Sequence, residues 1–244
     1  MSISMQKEQS SNKRVNFTPS FPNKSDRGRD PQGKLNLNFD QSSVANVDYS
    51  LYETLNEPSD FKAIFDRPDT HLWINAMKEE LEALAENDTW GLCNLPKNRK
   101  AIKNKWVFKM KRNSHGQIER YKTRLVIKGC SQKYGIDYNE VFAPVVRYST
   151  VRFLMALAVK FNLEIDHMDV VTAFLQGDLQ NEEIYMDQPL GFVTEENKVC
   201  RLKKALYGLK QSGRIWNKKV DTVLKEFGLV QSEIDPCVIL FKEE

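Results

Sequence analysis

Between positions 69 and 88 the apolar residues recur at helical spacing. Trp73, Met77, Leu81 and Leu84 stand at i, i+4, i+8 and i+11, with glutamates on the opposite side. This predicts an amphipathic helix that covers a sheet, with Asp69 or Thr70 available as its N-cap. The period then switches to two. KWVFKMK and ERYKTRLVIKG alternate apolar and polar residues on either side of RNSHGQ, whose Gly116 suits a turn. The prediction is a β-hairpin with Trp106, Phe108, Met110, Tyr121, Leu125 and Ile127 on one face. Lys105, Lys109, Lys111, Arg120, Lys122, Arg124 and Lys128 gather on the other.

Beyond a polar turn, KYGIDYNEVFAPVVR, the run STVRFLMALAVKFN reads as a helix. Ser149 or Thr150 would cap it, and Val151, Leu154, Met155, Leu157, Ala158 and Phe161 would be buried. LEIDHMDV is strand-like, with Asp169 at its end, and VCRL reads as another strand. SGRIWNKKVDTVLKEFG predicts a helix that buries Ile215, Trp216, Val220, Val223, Leu224 and Phe227 and stops at Gly228. CVILF reads as a strand whose partner is missing. Helices and strands in this irregular order indicate an α+β fold. Residues 1–65, rich in Ser, Asn, Asp and Lys and without an apolar period, read as a disordered polar linker ahead of one ordered unit over 66–244.

Charge sharpens this picture. The net charge is only +3, yet thirteen Lys or Arg and one acid fall between Lys97 and Lys133, whereas nine acids and no Lys or Arg fall between Phe161 and Asn197. A basic surface beside an acidic one suggests a polyanion held next to a cation site. The hairpin's seven cations would repel one another unless phosphate or water screens them; the alternative is an edge guarded by lysine. No apolar run reaches the roughly 20 residues of a membrane span, and the polar start MSISMQKEQSSNKR has no signal-like apolar stretch. The expectation is an unsecreted, cytoplasmic chain, with the nucleus as the alternative. The four cysteines and three histidines are widely scattered, which suits reduced thiols and gives no support to a thiolate or imidazole metal site.

Taken alone, Asp169 is open between a turn former and a metal ligand. The order of motifs decides between them. W..AM.EE...L..N.TW is followed by KWVFK.K....G.IERYK.RLV.KG..Q..GIDY.E.FAPV.R, then MDV.TAFL.G.L.EEIYM.QP.GF, then VC.L.KALYGLKQS.R.W. Together these blocks resemble the copia-type LTR-retrotransposon reverse transcriptase, an RNA-dependent DNA polymerase, from about Trp73 to Cys237. The resemblance implies the fingers and part of the palm of a right-hand polymerase. It also implies an RNA or DNA template-primer and deoxynucleoside triphosphates as partners, with Mg2+ as the cofactor.

By the same resemblance, Asp169 is the catalytic, metal-binding aspartate and the Val170 backbone carbonyl a second oxygen ligand. Two ions stabilise the attacking and leaving oxygens in such a reaction. Phe174 corresponds to the aromatic gate that selects against a 2′-hydroxyl. Lys122 and Arg124 correspond to the fingers block that contacts the triphosphate or template backbone, and Gln211 to the block lining the nucleotide pocket. Lys105, Lys109, Lys111, Arg120, Lys128, Lys210 and Arg214 are the expected nucleic-acid contacts. Two departures stand out: Cys130 where an aromatic is common, and Gly213 where proline is frequent. No aromatic-x-Asp-Asp motif occurs in the 244 residues. The expectation is therefore a C-terminally truncated domain, inactive alone, with a noncatalytic nucleic-acid-binding remnant as the rival reading.

Overall fold

The computed structural model describes Tyr52, residues 55–179 and residues 182–241. Most of the linker expected over 1–65 lies outside these residues. Its described end is not a free tether: Phe61 and Ile64 are buried in the core, and a short 3-10 turn spans Lys62–Ile64. The ordered unit thus starts earlier than position 66, because two apolar side chains too few to show a period still supply core.

The first helix, α1, runs Thr70–Glu86 and buries Leu72, Trp73, Ile74, Ala76, Met77, Leu81 and Leu84. Asp69 holds the N-cap position, but its side chain makes no cap bond. Its fully buried carboxylate instead accepts from Arg67 Nε at 2.8 Å, Trp73 Nε1 at 3.2 Å and the Tyr121 hydroxyl at 3.2 Å. A buried charge needs several donors, and the core offers more than the helix end does. Burial raises the Tyr121 phenol pKa, and the neighbouring Asp69 adds to the shift.

After α1 comes a strand the alternation did not reveal, β1 (Trp90–Asn94). The predicted hairpin follows as β2 (Asn104–Arg112) and β3 (Ile118–Ile127), antiparallel, with Lys109 opposite Lys122 and Lys111 opposite Arg120. Its apolar face packs on α1, where Trp73 meets Phe108 and Tyr121 edge-on at 5.3 and 4.5 Å. Each hairpin edge carries one carboxylate: Met110 N–H donates to Glu57 at 3.0 Å and Leu125 N–H to Glu80 at 3.1 Å, so one backbone donor on each strand is already satisfied.

The second half departs from expectation. Helix α2 (Tyr148–Phe161) begins after Arg147, with no side-chain cap from Ser149 or Thr150, and buries only Ala158. Leu154, Met155 and Phe161, predicted as core, are exposed. LEIDHMDV, expected as a strand, has no regular secondary structure and pairs with no described strand. A two-residue strand, β4 (Tyr185–Met186), and β5 (Lys198–Leu202) join β1 in an antiparallel sheet of order β1-β5-β4. Helix α3 (Ser212–Glu226) leaves Ile215, Trp216, Val220 and Leu224 half-buried and Val223 and Phe227 exposed; Gly228, at φ +78°, ends it. The CVILF run does have a partner: β7 (Ile239–Phe241) pairs with β6 (Leu229–Gln231). Periodicity identifies the apolar face of a helix and is silent on whether another layer covers it. The mixed architecture is α+β, as expected.

Candidate nucleotide and nucleic-acid site

Three separated blocks converge where β3 ends. Ile127 N–H donates to the Tyr207 carbonyl at 2.8 Å, fastening the YGLK loop against the strand. The approach is close enough to require glycine on both sides. A Cβ on Gly129 would collide with the Gly208 carbonyl, and one on Gly208, at φ +95°, with Ile127 backbone. From this crossing Arg124 lies over the Tyr207 ring at 5.0 Å, and Tyr207 meets Phe174 edge-on at 4.9 Å. The structure therefore brings two residues expected from the motifs, Arg124 and Phe174, against one tyrosine that the motif reading passed over. Its signal was present: an aromatic immediately before a glycine that cannot be replaced.

Gln211 is also at this junction, but turned inward. It is 1% exposed, accepts from Gln132 Nε2 at 3.0 Å, and donates to Glu182 at 2.6 Å and to the Asp137 carbonyl at 2.9 Å. Its amide ties the KGCSQ, GIDY and YGLKQS segments together rather than facing a groove. Lys210 donates to the Tyr138 hydroxyl at 3.2 Å, and Arg214 pairs with Glu140, so both hold the loop after Gln132.

The hairpin's outer face is basic, as predicted, though partly neutralised. Lys109 pairs with Glu57 at 2.9 Å and Arg120 with Glu79 at 2.8 Å. Burial, more than the bond from Leu125 and the charges of Arg124 and Lys122, controls Glu80 and raises its pKa. Partial burial, then Arg124 and Arg120 alongside, lowers that of Lys122. Lys105, Lys111 and Lys128 have no ion-pair partner among the described residues.

Asp169 sits in the exposed 163–170 segment, where its carboxylate accepts from the Val170 N–H at 3.0 Å. It is not a buried cap, and its remaining lone pairs face outward. The chain covers only five residues from Asp169 to Phe174, a Cα separation of at most roughly 18 Å. Among the described residues no three His, Cys, Asp or Glu groups gather to hold a metal. One exposed carboxylate suits one ligand position but does not by itself fit a pair of Mg2+ ions.

The chain belongs to the family described as reverse transcriptase (RNA-dependent DNA polymerase), whose model matches residues 87–240. Within it the similarity is to copia-type retrotransposon proteins. The chain is 44% identical over 194 residues to the retrovirus-related Pol polyprotein from transposon TNT 1-94 of Nicotiana tabacum, covering 79% of this chain and 14% of that one. It is 38% identical over 200 residues to the Pol polyprotein from transposon RE1 of Arabidopsis thaliana, covering 81% and 14%. An uncharacterised mitochondrial protein of Arabidopsis thaliana is 41% identical over 113 residues, 46% of this chain and 66% of that protein. The chain thus spans about one seventh of the Pol polyproteins it matches. No solved structure matches. No helix among the described residues is long and apolar enough to cross a membrane.

Proposed function

We propose that this chain is the fingers and partial palm of a right-hand polymerase that performs templated deoxynucleotidyl transfer on RNA or DNA. The observation that carries the reading is the linkage of Arg124, Tyr207 and Phe174, reached within five residues of an outward-facing Asp169 carboxylate. In this reading Asp169 grips a divalent ion together with the Val170 carbonyl, and the Phe174 ring rejects a 2′-hydroxyl. Arg124 and Lys122 contact phosphate. Gln211 shapes the pocket from behind through Gln132 and Glu182, because its own amide is fully engaged. Lys105, Lys111 and Lys128 supply nucleic-acid contacts on the hairpin, and Lys210 and Arg214 act by fixing the GIDYNEVF loop.

The 244 residues acting alone do not extend a primer in this proposal. Each carboxylate missing around a metal pair removes several kcal/mol of transition-state stabilisation, and a deficit of about 6 kcal/mol lowers the rate more than 10⁴-fold. Primer extension with Mg2+, comparing the chain with Asp169→Asn, tests this. No product from either is the expected result, and product that disappears in the variant would refute inactivity while upholding the role of Asp169. The second reading, a noncatalytic nucleic-acid-binding protein, draws on the lone carboxylate and the unpaired hairpin lysines. It gains if salt-sensitive binding to RNA is unaffected by Asp169→Asn and by Mg2+.

A further inference from the structure

Two turns away from the hairpin's face enclose a cleft of about 310 Å³. One wall is the segment 97–102 and the other is 131–137. Arg99 bridges them: its guanidinium donates to the Ile136 carbonyl at 3.2 Å and to the Glu183 carbonyl at 2.9 Å, and it approaches the Glu183 carboxylate at 3.5 Å. The floor is fixed as well, since Ile102 N–H donates to the Tyr185 carbonyl of β4 at 2.7 Å. Around the mouth stand Lys97, Lys100 and Lys133. None of the three has a carboxylate partner among the described residues, in contrast to Lys109 and Arg120 of the hairpin. The one acid in the lining, Asp137, already accepts from the Lys133 backbone N–H at 2.7 Å.

Two further features point to a strand of nucleic acid as the occupant. The lysines of the lining stand on the two chain segments that flank the hairpin base, and these are tied together where Lys128 N–H donates to the Lys103 carbonyl at 2.8 Å. Next to Lys133, Tyr134 is 74% exposed, and its ring is propped edge-on against Tyr138 at 5.8 Å, itself overlain by the Lys210 ammonium at 4.9 Å. An exposed aromatic next in the chain to a lysine of a basic cleft suits a stacking platform for the bases of a strand whose phosphates the lysines hold.

We propose that this cleft is a second nucleic-acid site, in which Lys97, Lys100 and Lys133 bind backbone phosphates of a single strand and Tyr134 stacks on one of its bases. The inference rests on the polymerase reading only in taking nucleic acid as the partner. It adds phosphate contacts at the hairpin base to those proposed on the hairpin face, where Lys109 and Arg120 are already paired with carboxylates.

The test is fluorescence anisotropy of a labelled single-stranded RNA oligonucleotide over a salt series, using the whole chain. Each phosphate contact contributes about 0.7 to the slope of log affinity against log salt for single strands. The triple variant Lys97→Gln, Lys100→Gln, Lys133→Gln is therefore expected to reduce that slope by about 2. Tyr134→Ala is expected to weaken RNA binding about tenfold and leave the slope unchanged. A charge-matched control, Lys218→Gln, Lys219→Gln, Lys225→Gln on α3, should leave the slope as it is. Equal slopes for the wild type and the cleft variant, or equal losses in the cleft and α3 variants, would overturn the site. If inorganic tripolyphosphate displaces the RNA and Tyr134→Ala has no effect, the cleft takes free phosphate and the strand assignment is wrong. No RNA binding by the wild type at all would remove the nucleic-acid reading itself, along with this proposal.

Discussion

Gly208 combines a left-handed backbone conformation with a neighbour, Ile127, whose backbone occupies the space a Cβ would need. Gly208→Ala must therefore strain φ and push the YGLK loop away from β3. The expected loss is about 2–4 kcal/mol, read from the midpoint of urea unfolding, with Gly116→Ala costing less because nothing lies near its Cβ. An equal cost at both positions would show that φ alone matters. At this scale the sequence exposed the chemistry of many residues but not their orientation. Gln211 was legible as part of a motif, whereas its inward turn depends on Gln132, 79 residues away. Asp69 was legible as a cap and became the acceptor of a buried cluster, because nothing local reveals that Tyr121 lies above it.

Among the elements, the hairpin was fully legible, since alternation states which face is buried and the turn glycine sets where the chain reverses. The helices α2 and α3 were legible as helices but not in their burial. What holds the start of α2 is a carboxylate from another element. Asp235, 4% exposed, accepts from Thr150 Oγ1 at 2.7 Å, from Cys237 N–H at 3.0 Å and from Arg147 N–H at 3.3 Å. These bonds, the one from Thr150 foremost, lower the Asp235 pKa below its ordinary value. The stabilisation is therefore complete above pH about 4 and is lost as pH falls through the lower folded value. In NMR spectra the Arg147 and Cys237 amide resonances should shift together with a midpoint below pH 4, and Asp235→Asn should abolish the shared titration. A midpoint above the ordinary aspartate value would show that the carboxylate gains nothing from these donors.

For the whole molecule, order of packing follows the chain unevenly. The layer formed by α1 and the hairpin contains the fully buried Trp73, Leu81 and Leu125, whereas α2 and the 163–170 segment present Phe153, Val159 and Met168 to solvent. Amide hydrogen exchange should reflect this, with α1, β2 and β3 opening only on global unfolding and α2 exchanging at least tenfold faster. Uniform protection across both halves would contradict it. The family was readable from four ordered blocks, because motif spacing survives where burial patterns do not. The basic cleft was not, since Lys97, Lys100 and Lys133 meet only after two turns are brought together by Arg99.

The contact of Gly129 with Gly208 has a mechanical consequence. With no side chain between them to compress, the root of the ribbon and the tyrosine loop form a single lever. Any displacement of the ribbon's root carries Tyr207 with it, and the Phe174 ring leaning on that tyrosine must follow or lose its support. Flexure has to occur elsewhere, and in the proposed function grasping a strand is thereby geared to the setting of the Phe174 ring.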